Sequence, residues 1–164
     1  MWRSAFALLL GVSTLMAEDP KQLYQEAMTA SQAGNFAEAR LMFEAVLAVQ
    51  PGNQTARRQL ELVTRKQEEA ERLERSLNAI VLEKVEFNDV SAREAMNFVS
   101  QQVKKATDGK QPVNILWTVP GDQDPKVTLS LSSIPAGRAM RYIAENAGLQ
   151  IVFDVSAVKV SVPR

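Results

Sequence analysis

An α+β fold in two blocks is what this sequence predicts: an N-terminal helical hairpin plus a long helix, then a small β-α-β-β-α-β-β domain with two helices packed on short sheets. Three observations predict it. Apolar residues recur three and four apart up to Leu77, as on one face of a helix. From Val81 they alternate instead in short runs, separated by two capped stretches of helical period. Pro51-Gly52 and Pro120-Gly121 interrupt the pattern where the chain must turn.

The first segment is expected to be an address. Arg3 supplies a positive charge, residues 5–16 are apolar without a charge, and Leu15-Met16-Ala17 ends on a small residue before Glu18-Asp19-Pro20. That is the three-part pattern of a signal peptide cleaved after Ala17. The apolar run falls short of the roughly 20 residues a spanning helix needs. The mature chain is therefore expected to be exported, with helical blocks at 18–52 and 53–80 and a second domain at 81–164.

Asp19-Pro20 offers an N-cap with proline at the first helical position, and Leu23, Ala27 and Ala30 follow at helical spacing as far as Gly34. Asn35 can cap a second helix carrying Phe36, Ala39, Phe43, Val46 and Leu47. Leu23, Ala27, Gly34, Phe36, Ala39, Phe43, Val46 and Pro51 together resemble one tetratricopeptide repeat. A single repeat cannot bury both its faces, so a third helix, capped by Asn53 and striped with Ala56, Leu60, Val63, Ala70, Leu73 and Leu77, is expected to cover it. Between Arg65 and Arg75 that helix carries mixed charges, which read as a solvated face with pairs such as Glu68 with Arg72 and Glu71 with Arg75.

In the second block Val85, Phe87 and Val90 predict a strand, and Ser91 caps a helix with Ala92, Ala95, Met96, Val99 and Val103 on its apolar face. Residues 113–119 and 127–131 follow as strands, with a turn-rich loop from Pro120 to Pro125, and are expected to pair as a hairpin. Residues 136–146 form a helix ending at Gly148, and residues 151–155 and 158–162 a last strand pair. An internal echo runs through the block. Val90-Ser91-Ala92-Arg93-Glu94-Ala95-Met96-Asn97-Phe98-Val99 aligns with Ile134-Pro135-Ala136-Gly137-Arg138-Ala139-Met140-Arg141-Tyr142-Ile143, which predicts two helices packed into one core in equivalent ways.

The strand ending Phe87-Asn88-Asp89-Val90-Ser91, the helix with Ala95-Met96, the strand Val127-Thr128-Leu129-Ser130-Leu131, then Ile134-Pro135-Ala136, Ala139-Met140 and Gly148-Leu149 resemble the short N-terminal domain shared by secretins and TonB-dependent transducers. The resemblance spans most of residues 82–162. It implies two helices flanked by a two-stranded and a three-stranded sheet, in a periplasmic domain that docks to other envelope proteins.

Composition narrows the chemistry. Lys and Arg total 19, as do Asp and Glu, so no net field favours nucleic acid or an acidic membrane. With neither cysteine nor histidine in the chain, disulfides, thiol nucleophiles, the usual zinc and haem ligands and the commonest general base are excluded. Neither phosphate-loop motif occurs. Ser156-Ala157-Val158-Lys159 has the S-x-x-K spacing of a serine nucleophile with its lysine, but that chemistry needs a helix and these residues lie at a predicted hairpin. Asp122 and Asp124 lack the further oxygen ligands of a calcium loop and are expected to be solvated. Asn53-Gln54-Thr55 is a glycosylation sequon whose asparagine is better used as a cap.

The expected function is thus non-catalytic: a protein-protein interaction or assembly module of the cell envelope, accessory to a secretion or pilus system. Expected partners are other envelope proteins, secretin or pilus components among them, with no cofactor, nucleic acid or small-molecule substrate and with the membrane met only through partners. The alternatives are a self-assembling structural protein and an envelope glycan hydrolase acting through carboxylates alone. Candidate partner-binding residues are Tyr24 and Met28 on the first helix, and Trp117, Val127 and Leu129 on strands whose open edges could accept an added strand. Trp117 is also a natural core residue.

Overall fold

The computed structural model describes residues 19–121 and 123–163. The expected leader and Asp122 lie outside the described residues. The fold is α+β: helices come first, then a mixed region with sheets of two and three strands. The chain divides into two compact units, one up to Thr64 and one from Arg65. Among the described residues no helix is long and apolar enough to cross a membrane.

In the first unit α1 (Pro20–Ala33) starts where expected, with Asp19 Oδ1 accepting from Lys21 N–H at 3.0 Å and Pro20 at the first position. It stops at Gly34, which adopts φ 86°, a left-handed conformation that costs glycine nothing. α2 (Phe36–Val49) lacks the expected side-chain cap. Asn35 sits at ψ 63°, outside the extended region from which a cap side chain reaches the first amides. α3 (Gln54–Asn78) is capped as expected, Asn53 Oδ1 accepting from Ala56 N–H at 3.0 Å. Leu23, Val46 and Ala56, one from each helix, share a small core, so the start of α3 covers the hairpin.

In the second unit β1 (Val81–Ser91) leads directly into α4 (Ala92–Ala106), and β3 (Lys126–Pro135) leads directly into α5 (Ala136–Asn146). β1 and β3 pair antiparallel as the two-stranded sheet. β2 (Asn114–Trp117), β5 (Ala157–Ser161) and β4 (Gln150–Phe153) form the other, in the order β2-β5-β4. α4 packs on β1 and β2, and α5 on β3 and β4, so both helices lie between the sheets. One core unites them, centred on Met96, Met140, Val99, Ile143, Val127 and Val158.

The expected hairpin of the strands at 113–119 and 127–131 is not formed. β2 runs parallel to β5, and β3 belongs to the other sheet. The intervening segment spans eight residues, longer than the two-residue loops that favour a tight hairpin. Its end is instead tied to the end of β1: Ser91 Oγ donates to Asp124 Oδ2 at 2.7 Å, and Ala92 N–H donates to Pro125 O at 2.9 Å. β3 therefore begins beside β1.

The expected strand at Val85, Phe87 and Val90 is longer and irregular. Val85 and Phe87 point inward, and Val90 is brought opposite Val127 by a bulge that shifts the register between Phe87 and Val90. Asp89 takes φ 55° there, its N–H bonded to Thr128 Oγ1 at 3.0 Å. A second irregularity places Leu82 opposite Ile134, with the inward phase resuming at Val85 opposite Leu131, and Ser133 between them takes φ 51°. Both strands take the same extra step, so the register is unchanged across it.

The charged stretch of α3 differs from a purely solvated linker. Glu71 and Arg75 do approach at 3.9 Å on the surface, but Glu74 Oε1 accepts from Arg141 Nε at 2.9 Å and Nη2 at 2.6 Å, and Leu77 is fully buried in the second core. The last turns of α3 are thus part of the second unit.

Candidate protein-binding edges

Among the described residues, the two sheets of the second unit have four strands with only one neighbour each: β1, β3, β2 and β4. An edge strand carries backbone groups able to pair with an added strand, and its side chains decide whether it invites or repels one.

β3 carries two of the residues singled out from the sequence, and both side chains face the core. Val127 is fully buried and Leu129 half-buried against it. Inward alternation opposite Val90 and Phe87 puts them there. The edge is also partly closed, because Thr128 N–H donates to Asn146 Oδ1 at the end of α5 at 3.2 Å. β4 is held in its hairpin with β5. Beyond its end, Asp154 and Lys159 form an ion pair at 2.5 Å. Burial alone would raise the Asp154 carboxyl, but the hydrogen bonds from Lys159 and Val155 N–H and the charges of Lys159 and Lys66 outweigh it and hold the group below its ordinary value. Lys159 is thereby committed to Asp154, and the S-x-x-K spacing joins Ser156 to it only across a turn.

β2 is a different edge. Ile115 and Trp117 turn toward the core, opposite Val158 and Val160 of β5, while Leu116 stands on the outer face, 46% exposed. Trp117 is half-buried, and the Arg93 guanidinium covers its ring at 5.0 Å from the centroid. Its indole Nε1 is buried without a hydrogen-bond partner among the described residues. Among those residues, no side-chain or loop hydrogen bond closes the far side of β2; Thr118 N–H and Oγ1, just beyond it, both donate to Val160 O on the β5 side. The strand therefore offers an uncharged edge four residues long, apolar from Ile115 to Trp117.

β1 is the charged edge. Lys84 Nζ meets Glu86 Oε1 at 2.8 Å on its outer face. The Lys84 hydrogen bond outweighs desolvation and, with the charge of Lys84 and the Ser130 hydroxyl, holds Glu86 below the usual carboxylate value. Beneath this strand Phe98 of α4 meets Phe87 edge-on, the ring centroids 5.6 Å apart, and is 36% exposed.

On the helical unit, Tyr24 is half-buried and meets Phe43 edge-on at 5.5 Å, and Met28 on the same helix is also half-buried. Tyr24 thus serves the packing of its own hairpin. The structure does not gather Tyr24 and Met28 with the strand residues into one site; it places them in different units.

Sequence reasoning missed Leu116, Arg93, Phe98, Lys84 and Glu86. The last two had a readable signal, since residues two apart on a strand share a face. Leu116 had none: Ile115, Leu116 and Trp117 are all apolar, so alternation does not say which one faces out. No protein-family model, curated protein or solved structure matches the chain.

Proposed function

We propose that this chain is an exported, non-catalytic adaptor or assembly factor of the cell envelope, serving a secretion or pilus system, and that it docks an extended segment of a partner along β2. The observation that carries the reading is the β2 edge, a strand with one neighbour and no charged side chain that holds Leu116 out to solvent beside the Arg93-covered Trp117. Main-chain pairing would supply affinity, and the alternate side chains would supply specificity. Two helices between a two-stranded and a three-stranded sheet match what the resemblance to the short secretin and transducer domain implies, which supports a docking role in the same compartment. The leader-like pattern of residues 1–17 supports export.

Leu116→Asp puts a charge on the edge without touching the core. It is expected to abolish capture of the partner from envelope extracts while leaving thermal unfolding unchanged. Capture that survives the substitution would rule out docking at β2.

A further inference from the structure

We propose that two copies of this chain pair through β1, edge to edge and antiparallel about a two-fold axis at Val85, joining their two-stranded sheets into one sheet of four. The proposal concerns a different edge from β2 and stands whether or not that strand docks a partner.

The argument begins with the backbone. Among the described residues, no hydrogen bond from a loop or a side chain engages the backbone of residues 82–87 of β1, and the one from Ser130 reaches only the Glu86 carboxylate. The Asp89 bulge and the paired irregularity at Ser133 leave residues 84–87 as the regular stretch. Any added strand must register there.

Side chains then choose the occupant. Lys84 and Glu86 lie on the same outer face, one on each side of inward-pointing Val85. A two-fold at Val85 sets Lys84 of each copy opposite Glu86 of the other. Together with the contact already made along each strand, this gives a square of four alternating charges. The neighbouring registers that keep inner faces together centre the axis on residue 84 or residue 86. They place lysine against lysine or glutamate against glutamate, which is unfavourable. The edge is therefore complementary to itself in one register.

The inner face fits the same arrangement. Val85 would meet its symmetry mate, and Phe98, exposed beside Phe87 under the strand, would lie beneath the lengthened sheet. β3 offers no such match. Its outer residues opposite the charged pair are Ser130 and Ser132, and its Thr128 N–H is already taken by Asn146. A short edge contact of this kind belongs to the weak, reversible class of interfaces.

The test is sedimentation velocity of the purified chain at low ionic strength, where surface charge pairs are least screened, from micromolar to about 1 mM, a range suited to weak association. Lys84→Glu and Glu86→Lys are each expected to weaken self-association by about tenfold or more, because each turns two attractive cross-strand pairs into repulsive ones. Both residues are exposed, and unchanged thermal unfolding verifies that the fold survives. Two rescues are specific to this register. Mixing the two single variants sets a strand bearing two glutamates against a strand bearing two lysines, so both cross-strand pairs become attractive again. The mixture is expected to associate where neither variant does alone. The double exchange K84E/E86K is expected to restore association within one variant. A wild-type chain that stays monomeric throughout, association indifferent to either reversal, or a mixture no stronger than its components would overturn the proposal.

Discussion

The β1-α4 and β3-α5 halves of the second unit are built on one plan, and the places where they part show how each copy has been fitted to different neighbours. In each half a strand enters its helix without a loop. The first helical amide then bonds to the residue just before the other strand: Ala92 N–H to Pro125 O at 2.9 Å, and Ala136 N–H to Ile80 O at 2.8 Å. Ala95, Met96 and Val99 in one half and Ala139, Met140 and Ile143 in the other are all fully buried. The entries differ in chemistry. Ser91 accepts from Glu94 N–H and is tied to Asp124, whereas Pro135 has no capping side chain and relies on its own φ of −56° and the bond to Ile80.

The outer faces part further. Where α4 carries Arg93 and Asn97, both exposed, α5 carries Gly137 and Arg141, which receive the end of α3. A Cβ on Gly137 would lie 2.6 Å from Asn78 Oδ1, and Arg141 both binds Glu74 and covers the Phe153 ring at 4.8 Å. One copy of a repeated plan has thus been fitted to a helix. The other keeps its face open and uses Arg93 to cover Trp117 beside the β2 edge.

The largest expected effects test what the halves share. Met96→Ala and Met140→Ala should each cost about 3 kcal/mol in urea unfolding, and by similar amounts, because both leave a cavity in the same core. Costs differing by more than about 2 kcal/mol, a large part of the spread seen for such truncations, would mean the two sites are not equivalent. The next effect tests where they differ. Gly137→Arg, which gives α5 the residue of α4, should cost about 2 kcal/mol by overpacking against Asn78 and Leu77. The reverse change, Arg93→Gly, should cost only about 1 kcal/mol, mainly through helix propensity. Equal costs would remove α3 as the source of the asymmetry.

The smallest effect belongs to the α5 half alone. Asp154 is held below its ordinary carboxyl value by Lys159 and its hydrogen bonds. A carboxyl lowered in the folded state contributes stability that is present above its unfolded pKa, about 3.9, and is lost as pH falls through the folded value. Asp154→Asn should therefore flatten the acid limb of a stability-pH profile by no more than about 1 kcal/mol, since the pair is partly exposed. A steeper acid limb in the variant would reverse the sign of this assignment.

What the sequence made legible was local. Asp19, Asn53 and Ser91 cap as their neighbours predict, because a cap is decided within one helical turn. Asn35 failed as a cap because the left-handed turn at Gly34 leaves it with a ψ that turns its side chain away. The echo between the helices was visible in the order of Ala, Met and aromatic residues, and so was its break at Gly137. The cause of that break was not, because it depends on where α3 ends in space. Strand partners were hidden for the same reason. The β2-β5 pairing is parallel and joins segments far apart in the chain, and Ile115, Leu116 and Trp117 present no alternation to mark the outer face. The β2 edge that we propose for docking was therefore glimpsed through Trp117, while Leu116, its exposed apolar residue, went unread.

The most direct test of the central claim is in-cell photocrosslinking with a photoreactive residue at position 116, compared with the same residue at the exposed position 97 on α4. Docking at β2 predicts a discrete crosslinked species from position 116, containing another envelope protein, and none from position 97. No product at 116, or the same products from both positions, would contradict it.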